Sequence, residues 1–259
     1  MTRRFLIAGN WKMHLNTMQA SLLVHRLQER IPIHRDIEVV LSPSMLLLQP
    51  LSLQIDRRKF RLAAQNAYFQ DEGAFTGEVS FTMLRELVHY VIIGHSERRH
   101  IFGETNDDTM KKVAAAVRNN ITPILCVGET KTERLAKETS VVIHDQLTVG
   151  LRNLTAREVS NMVIAYEPVW AIGTGDVATP GQVAEVITLI RKNVSALYGA
   201  TAARDVRILY GGSVVPDVVS GFMQIDGVDG FLVGGASIDY HSFSQIVANA
   251  FKVLRAPTE

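Results

Sequence analysis

Short runs of consecutive apolar residues, rich in Val, Ile and Leu, recur along the chain, each followed by a longer stretch of helical character. This alternation restricts the fold more than any other feature. The runs read as strands at Phe5–Gly9, Ile37–Leu41, Phe60–Gln65, Tyr90–Gly94, Ile121–Val127, Met162–Tyr166, Val206–Tyr210 and Gly230–Val233. Their starts lie roughly 22–45 residues apart, the length of a strand, a crossover helix and two loops. Apolar residues at successive positions, rather than alternate ones, mark parallel strands covered on both faces. Between the runs, Ala20, Leu23, Val24, Leu27 and Ile31 follow helical spacing, with Thr17 as the expected N-cap. Thr105-Asn106-Asp107-Asp108 opens a helix with an acidic first turn, and Thr179-Pro180-Gly181-Gln182 supplies a cap, a first-turn proline and a capping-box glutamine. Strand–helix units over 259 residues predict an α/β fold: a single-domain (β/α)8 barrel over residues 1–259, with eight parallel strands and outer helices. A doubly wound open sheet is the alternative, because periodicity does not report closure.

Composition narrows the function classes. Lys plus Arg (27) nearly balances Asp plus Glu (26), so a nucleic-acid partner is not expected. The single cysteine, Cys126, excludes an intramolecular disulfide and is assigned to packing. The apolar run after Arg3 and Arg4 is too short for a secretory signal, and Leu41–Ile55 is interrupted by Pro43 and Pro50, so no membrane partner is expected. The chain reads as cytoplasmic.

In a parallel barrel, functional groups gather where strands end. Those ends carry Gly9-Asn10-Trp11-Lys12, Gly94-His95-Ser96-Glu97-Arg98-Arg99, Ala165-Tyr166-Glu167-Pro168, Tyr210-Gly211-Gly212-Ser213 and Gly234-Gly235. A lysine, a histidine, a carboxylate and two glycine-rich turns at one rim exceed what stability requires. Glu167, beside a closable loop, suits a general base whose carboxyl is raised by desolvation. His95 precedes a short helix at Ser96-Glu97, whose free N–H groups disfavour imidazolium; it could be a neutral proton donor or a satisfied structural histidine. Lys12 offers a fixed positive charge. Asn10 could hold that lysine or simply form a turn, and Glu97 could neutralise Lys12 or serve as a first-turn acid. The glycine turns, with a helix start near Ala236–Ile238, let backbone N–H groups approach a dianion. No His, Cys, Asp or Glu cluster has metal-ligand spacing, and Gly173-Thr174-Gly175 lacks a GxGxxG continuation, so neither metal nor cofactor is expected.

Together GNWKM (9–13), AQN (64–66), GAFTGEVS (73–80), GHSERR (94–99), AYEPVWAIGTG (165–175), YGGSV (210–214) and DGFLVGGAS (229–237) resemble the triosephosphate isomerase family, in that family's order and from end to end. The resemblance implies a homodimeric glycolytic and gluconeogenic enzyme that interconverts dihydroxyacetone phosphate and glyceraldehyde 3-phosphate. It implies catalysis by Glu167, His95, Lys12, Asn10 and Glu97. Substrate contacts would come from Asn10, Trp11, Lys12, Gly173, Ser213, Gly234 and Gly235, with Ser96 and Gly212 in support. Residues 168–178 resemble the family's lid, with Gly173 at its tip. Residues 71–79 would project into a second copy, where Thr76 reaches that copy's Asn10 and Glu97.

Several positions depart from the family's pattern. His14 stands where asparagine is common, Asp176 occupies a lid hinge often held by lysine or an apolar residue, Val88-His89 replaces a frequent glycine, and Ile238 a frequent leucine. None removes a chemical group. An isomerase of a four-carbon ketose phosphate would need the same groups, and a non-catalytic phosphate-binding barrel would be expected to lack one.

Overall fold

The computed structural model describes residues 3–173 and 176–256. Strands β1 (Phe5–Asn10), β2 (Ile37–Ser42), β3 (Phe60–Ala64), β4 (Tyr90–Ile93), β5 (Thr122–Val127), β6 (Val163–Tyr166), β7 (Arg207–Tyr210) and β8 (Gly230–Val233) form one parallel sheet in chain order. The sheet closes because β8 pairs with β1, Leu6 opposite Gly230 and Gly9 opposite Val233. Closure excludes the open-sheet alternative. Each expected strand is present, its ends displaced by at most one residue.

Side-chain alternation explains why the strands read as unbroken apolar runs. Leu6, Ala8, Val40, Ala63, Ile92, Ile124, Cys126, Val163, Ala165, Leu209 and Leu232 form one buried cluster, the barrel interior. Ile7, Val39, Leu41, Leu62, Val91, Ile93, Leu125, Ile164, Ile208 and Phe231 belong to a second cluster, between the strands and the helices outside them. Both faces of each strand are dry. At the N-terminal mouth the interior closes on a polar set: Arg207 donates to Glu38 (2.9 Å) and to the Tyr90 hydroxyl (2.8 Å), which itself donates to Glu38 (2.9 Å).

Most helix starts follow the sequence. Thr105 and Thr179 each cap a helix in a reciprocal box with Asp108 and Gln182. The first helix differs. Asn16, rather than Thr17, is its cap: the Asn16 Oδ1 accepts from the Gln19 N–H, and the Gln19 side chain accepts from the Asn16 N–H, both at 3.0 Å. The reciprocal box needs a glutamine or acid three residues after the cap, and Asn16 has Gln19 there whereas Thr17 has Ala20.

The same alternation sets up the C-terminal mouth. Asn10 lies two residues beyond the inward Ala8, Glu167 beyond Ala165, Gly211 beyond Leu209 and Gly234 beyond Leu232. These four positions, from separate strands, share the barrel axis at the end where strands give way to loops.

Candidate active site

Glu167 leaves β6 almost fully buried and points at the loop after β4. One carboxylate oxygen lies 3.0 Å from the His95 Nε2, and the other accepts the Ser96 N–H at 2.9 Å. His95 caps the short helix Ser96–His100, its Nδ1 accepting the Glu97 N–H at 3.2 Å. That amide leaves Nδ1 unprotonated, so the proton on Nε2 faces Glu167.

Here the electrostatics depart from the sequence expectation. Burial pushes the Glu167 carboxyl up, but the His95 ring, the Ser96 amide and the Lys12 ammonium outweigh it and hold the carboxyl below its ordinary value. For His95, burial disfavours the charged ring, yet the Glu167 carboxylate beside it prevails and raises the imidazole above its ordinary value. A desolvated base with a raised pKa, beside a ring kept neutral by its helix, would require the two groups to be apart.

Lys12 joins this pair through Glu97, whose second oxygen lies 3.6 Å from the His95 Nδ1. Its ammonium is 2.6 Å from a Glu97 oxygen, so Glu97 both neutralises the lysine and occupies the helix's first turn. The Lys12 backbone sits in the left-handed region (φ 53°), a conformation that costs a non-glycine residue about 1–3 kcal/mol. Two contacts hold it there: the Lys12 N–H donates to the Asn10 Oδ1 (3.0 Å), and the Gln65 amide donates to the Lys12 carbonyl (2.9 Å). Asn10 therefore acts on the lysine's backbone. A cavity of about 330 Å³, lined in part by Asn10, Lys12, Met13, Gln65, His95, Glu97 and Phe102, opens beside these groups.

The glycine-rich turns reach the same mouth. A Cβ on Gly211 would lie 3.1 Å from the Glu167 Cγ, and one on Gly234 3.7 Å from the Lys12 Cε. Gly235–Ile238 forms a single 3-10 turn in place of the expected helix start. Gly212 packs on the Tyr210 ring, while Ser213 and Gly235 are exposed. Gly173 is exposed with φ 70°, and Thr174 and Gly175, the remainder of the expected lid tip, lie outside the described residues.

Trp11 requires a correction. Its side chain is fully buried in the outer cluster and cannot meet a ligand. Asn10 and Lys12 face the mouth, and alternation turns the residue between them away. Thr76 is exposed on a loop that is ordered rather than patternless: Tyr68 donates to the Val79 carbonyl, and the Phe75 ring rests on Tyr68.

Three further charged residues support the site. Glu104, buried, accepts from Arg98 and Lys112, each at 2.6 Å, and from the Gly94 N–H at 3.2 Å, fixing the backbone just before His95. Arg99 donates to the Gly94 carbonyl at 2.7 Å. Glu129, fully buried, accepts on one oxygen from the Trp170 Nε1 (2.9 Å), Arg134 (2.8 Å) and the Tyr166 hydroxyl (3.2 Å), tying the start of the expected lid to the loop after β5. A carboxylate directly beyond β5 is the sequence signal for Glu129. At the far hinge, Asp176 lies 3.6 Å from Lys131. Among the described residues no group of three His, Cys, Asp or Glu side chains is placed to hold a metal, and no helix is long and apolar enough to cross a membrane.

A sequence profile described as Triosephosphate isomerase matches residues 5–250. The chain is 48% identical to the triosephosphate isomerase of Moorella thermoacetica over 95% of its length and 98% of the relative's. It is 47% identical to that of Clostridium tetani (95% and 96%) and 46% identical to that of Pediococcus pentosaceus (93% and 97%). The chain belongs to the triosephosphate isomerase family. Of the residues that distinguish it from the common pattern, His14 and His89 are exposed, whereas Val88 is buried in the outer cluster and Ile238 packs against it. The family's barrel thus accommodates them at its surface or in its outer shell, away from the Glu167–His95 pair.

Proposed function

We propose that this chain interconverts dihydroxyacetone phosphate and D-glyceraldehyde 3-phosphate by removing a proton from the carbon beside the carbonyl and passing through an enediolate. The observation that carries the reading is a buried carboxylate 3.0 Å from an imidazole whose Nε2 faces it, with an ammonium group held nearby by Glu97. A substrate carbonyl oxygen entering between them takes the Nε2–H and the Lys12 charge. Glu167 then gives up His95 and the Ser96 amide and turns toward the carbon. Without those partners burial is opposed only by the Lys12 charge, which the substrate oxygen now shares, so the carboxyl's proton affinity rises just as it is needed as a base. The same exchange removes the negative charge that favours imidazolium, so His95 meets the developing oxyanion as a neutral donor. A glutamate base working beside a neutral histidine is the established pattern of the triosephosphate isomerase family itself, so these two roles are carried over from the family.

The backbone N–H groups of Gly212, Ser213, Gly234 and Gly235 suit the phosphate, and Gly173 would add another on lid closure. Closure matters because an enediolate beside a phosphate ester expels phosphate in water. The purified protein is expected to interconvert either triose phosphate equally well with and without a chelator. Glu167→Gln is expected to lower kcat by about 10²–10⁴-fold, and parental turnover in that variant would remove Glu167 as the base.

We also propose that two copies associate through the face around the cavity, where Met13 is 94%, Ile101 72% and Phe102 68% exposed. The loop 71–79 of one copy, with Thr76 at its tip, would enter the cavity beside Asn10 and Glu97 of the other. A cytoplasmic location accords with glycolytic triose phosphates as substrates, and cell fractionation tests it.

A further inference from the structure

We propose that Gln146 is a positioning residue: its carboxamide locks the peptide on which both the proton-transfer carboxylate and the lid's first hinge rest. The proposal depends on Glu167 being the base. Gln146 lies on the helix Thr139–Gly150 among buried Ile143, Leu147 and Gly150, itself only 8% exposed. Its Oε1 accepts the Gly128 N–H at 2.8 Å, and its Nε2 donates to the Gly128 carbonyl at 3.1 Å. Two bonds of opposite sense on one residue fix both peptide groups that flank Gly128. Each bond also supplies a partner to a buried peptide group of Gly128 that the sheet ladder no longer reaches.

Gly128 needs such a clamp. It follows the last residue of β5 and therefore lies beyond the sheet's ladder, and glycine is the residue least restrained by its own backbone preferences. Yet what surrounds it demands precision. A Cβ on Gly128 would collide with the Glu167 carbonyl oxygen, so the two backbones are in direct contact. On one side Val127 accepts the Glu167 N–H (2.8 Å), and on the other Glu129 accepts the Val169 N–H (3.1 Å). Glu129 also carries Trp170 through its carboxylate. A rotation at Gly128 would move the base and the hinge together; Gly211, whose N–H donates to the Tyr166 carbonyl, would feel the shift, whereas Gly234, in the turn after β8, neighbours Lys12 instead.

The test uses Gln146→Leu, which keeps the volume and removes both bonds, Gln146→Glu, and Glu167→Gln as a reference, each in the intact protein. For Gln146→Leu, kcat is expected to fall about tenfold to hundredfold, the scale of a displacement near 1 Å, with any rise in KM smaller than that fall, because of the proposed phosphate donors only Gly173 lies on the displaced segment. In Gln146→Glu the side chain can donate to Gly128 only when protonated, so its activity relative to the parent is expected to rise as pH falls. A Gln146→Leu variant that unfolds at lower temperature but keeps the parental kcat overturns the proposal, as does a Gln146→Glu variant whose activity follows the parent at every pH. Should the leucine variant not fold, the glutamate profile decides alone. Loss of turnover in Glu167→Gln with a parental Gln146→Leu rejects only the role of Gln146, whereas parental turnover in Glu167→Gln rejects the reading of the base.

Discussion

Glu167 and His95 show how far a single residue can be read without its neighbours. Both are legible as site residues because strand ends of a parallel barrel are where chemistry collects. Their protonation is not legible, because it depends on a distance of 3.0 Å between residues 72 positions apart in the chain, 167 minus 95. Trp11 fails for a related reason, since its neighbours mark the site but alternation faces it into the core. Gln146 escapes sequence reasoning because the backbone it holds comes from another segment, and Glu104 and Glu129, though near motifs the sequence marks, show their partners only in the folded chain. The paired state has a consequence for stability. A carboxyl held below its ordinary 4.5 contributes stability that is complete above that value and lost as pH falls through the folded pKa. A histidine raised above its ordinary 6.5 contributes stability that is complete below that value and lost as pH rises through the folded pKa. The pair therefore stabilises the fold most between pH 4.5 and 6.5. The difference in urea midpoint between the parent and Glu167→Gln is expected to peak in that window and shrink on both sides. A difference independent of pH would mean the two groups are not coupled in solution.

Elements are far more legible than single contacts. Strand ends agree to within a residue because a parallel sheet covered on both faces favours apolar residues at successive positions, and the polar ones, such as Glu38, Thr122 and Arg207, fall near the ends of the runs. Helix starts depend on one or two hydrogen bonds and are correspondingly easier to misplace, as at the first helix. There the box formed by Asn16 and Gln19 makes a quantitative distinction. Asn16→Ala is expected to cost about 0.5–2 kcal/mol, the usual worth of an N-cap, while Thr17→Ala should change stability little. Denaturant unfolding of the two variants separates the assignments, and a larger loss for Thr17→Ala would restore the threonine as cap. The lid illustrates the opposite limit. Its near hinge is visible as Pro168-Val169-Trp170, but what restrains it is Glu129, on a loop from another strand. Its far end is anchored locally by the Thr179–Gln182 box, two neighbours that sequence alone can pair.

At the scale of the molecule, closure joins residues at opposite ends of the chain, and no periodicity encodes that pairing. It also divides the barrel into a mouth sealed by Glu38, Tyr90 and Arg207 and a mouth that holds the candidate catalytic groups. The surface beside the second mouth is unusual for a lone soluble chain. Met13 and Phe102 line the cavity there, and with neighbouring Ile101 they are 94%, 68% and 72% exposed. Large apolar side chains gathered on one face belong to interfaces, which for stable pairs bury about 1,600 Å² in total. Phe102 gives the sharpest test, because it both lines the cavity and stacks beneath Arg98, 5.2 Å from the guanidinium. Phe102→Glu should leave each chain folded, since the side chain is mostly exposed and Arg98 can receive the new charge. If the face is shared by two copies, the substitution places a carboxylate in a desolvated contact. The parent is then expected to sediment as a pair whose activity per chain falls on dilution, and the variant as a single chain of low activity at every concentration. Sedimentation of the parent as a single chain throughout, at full activity, would show that the site needs no second copy.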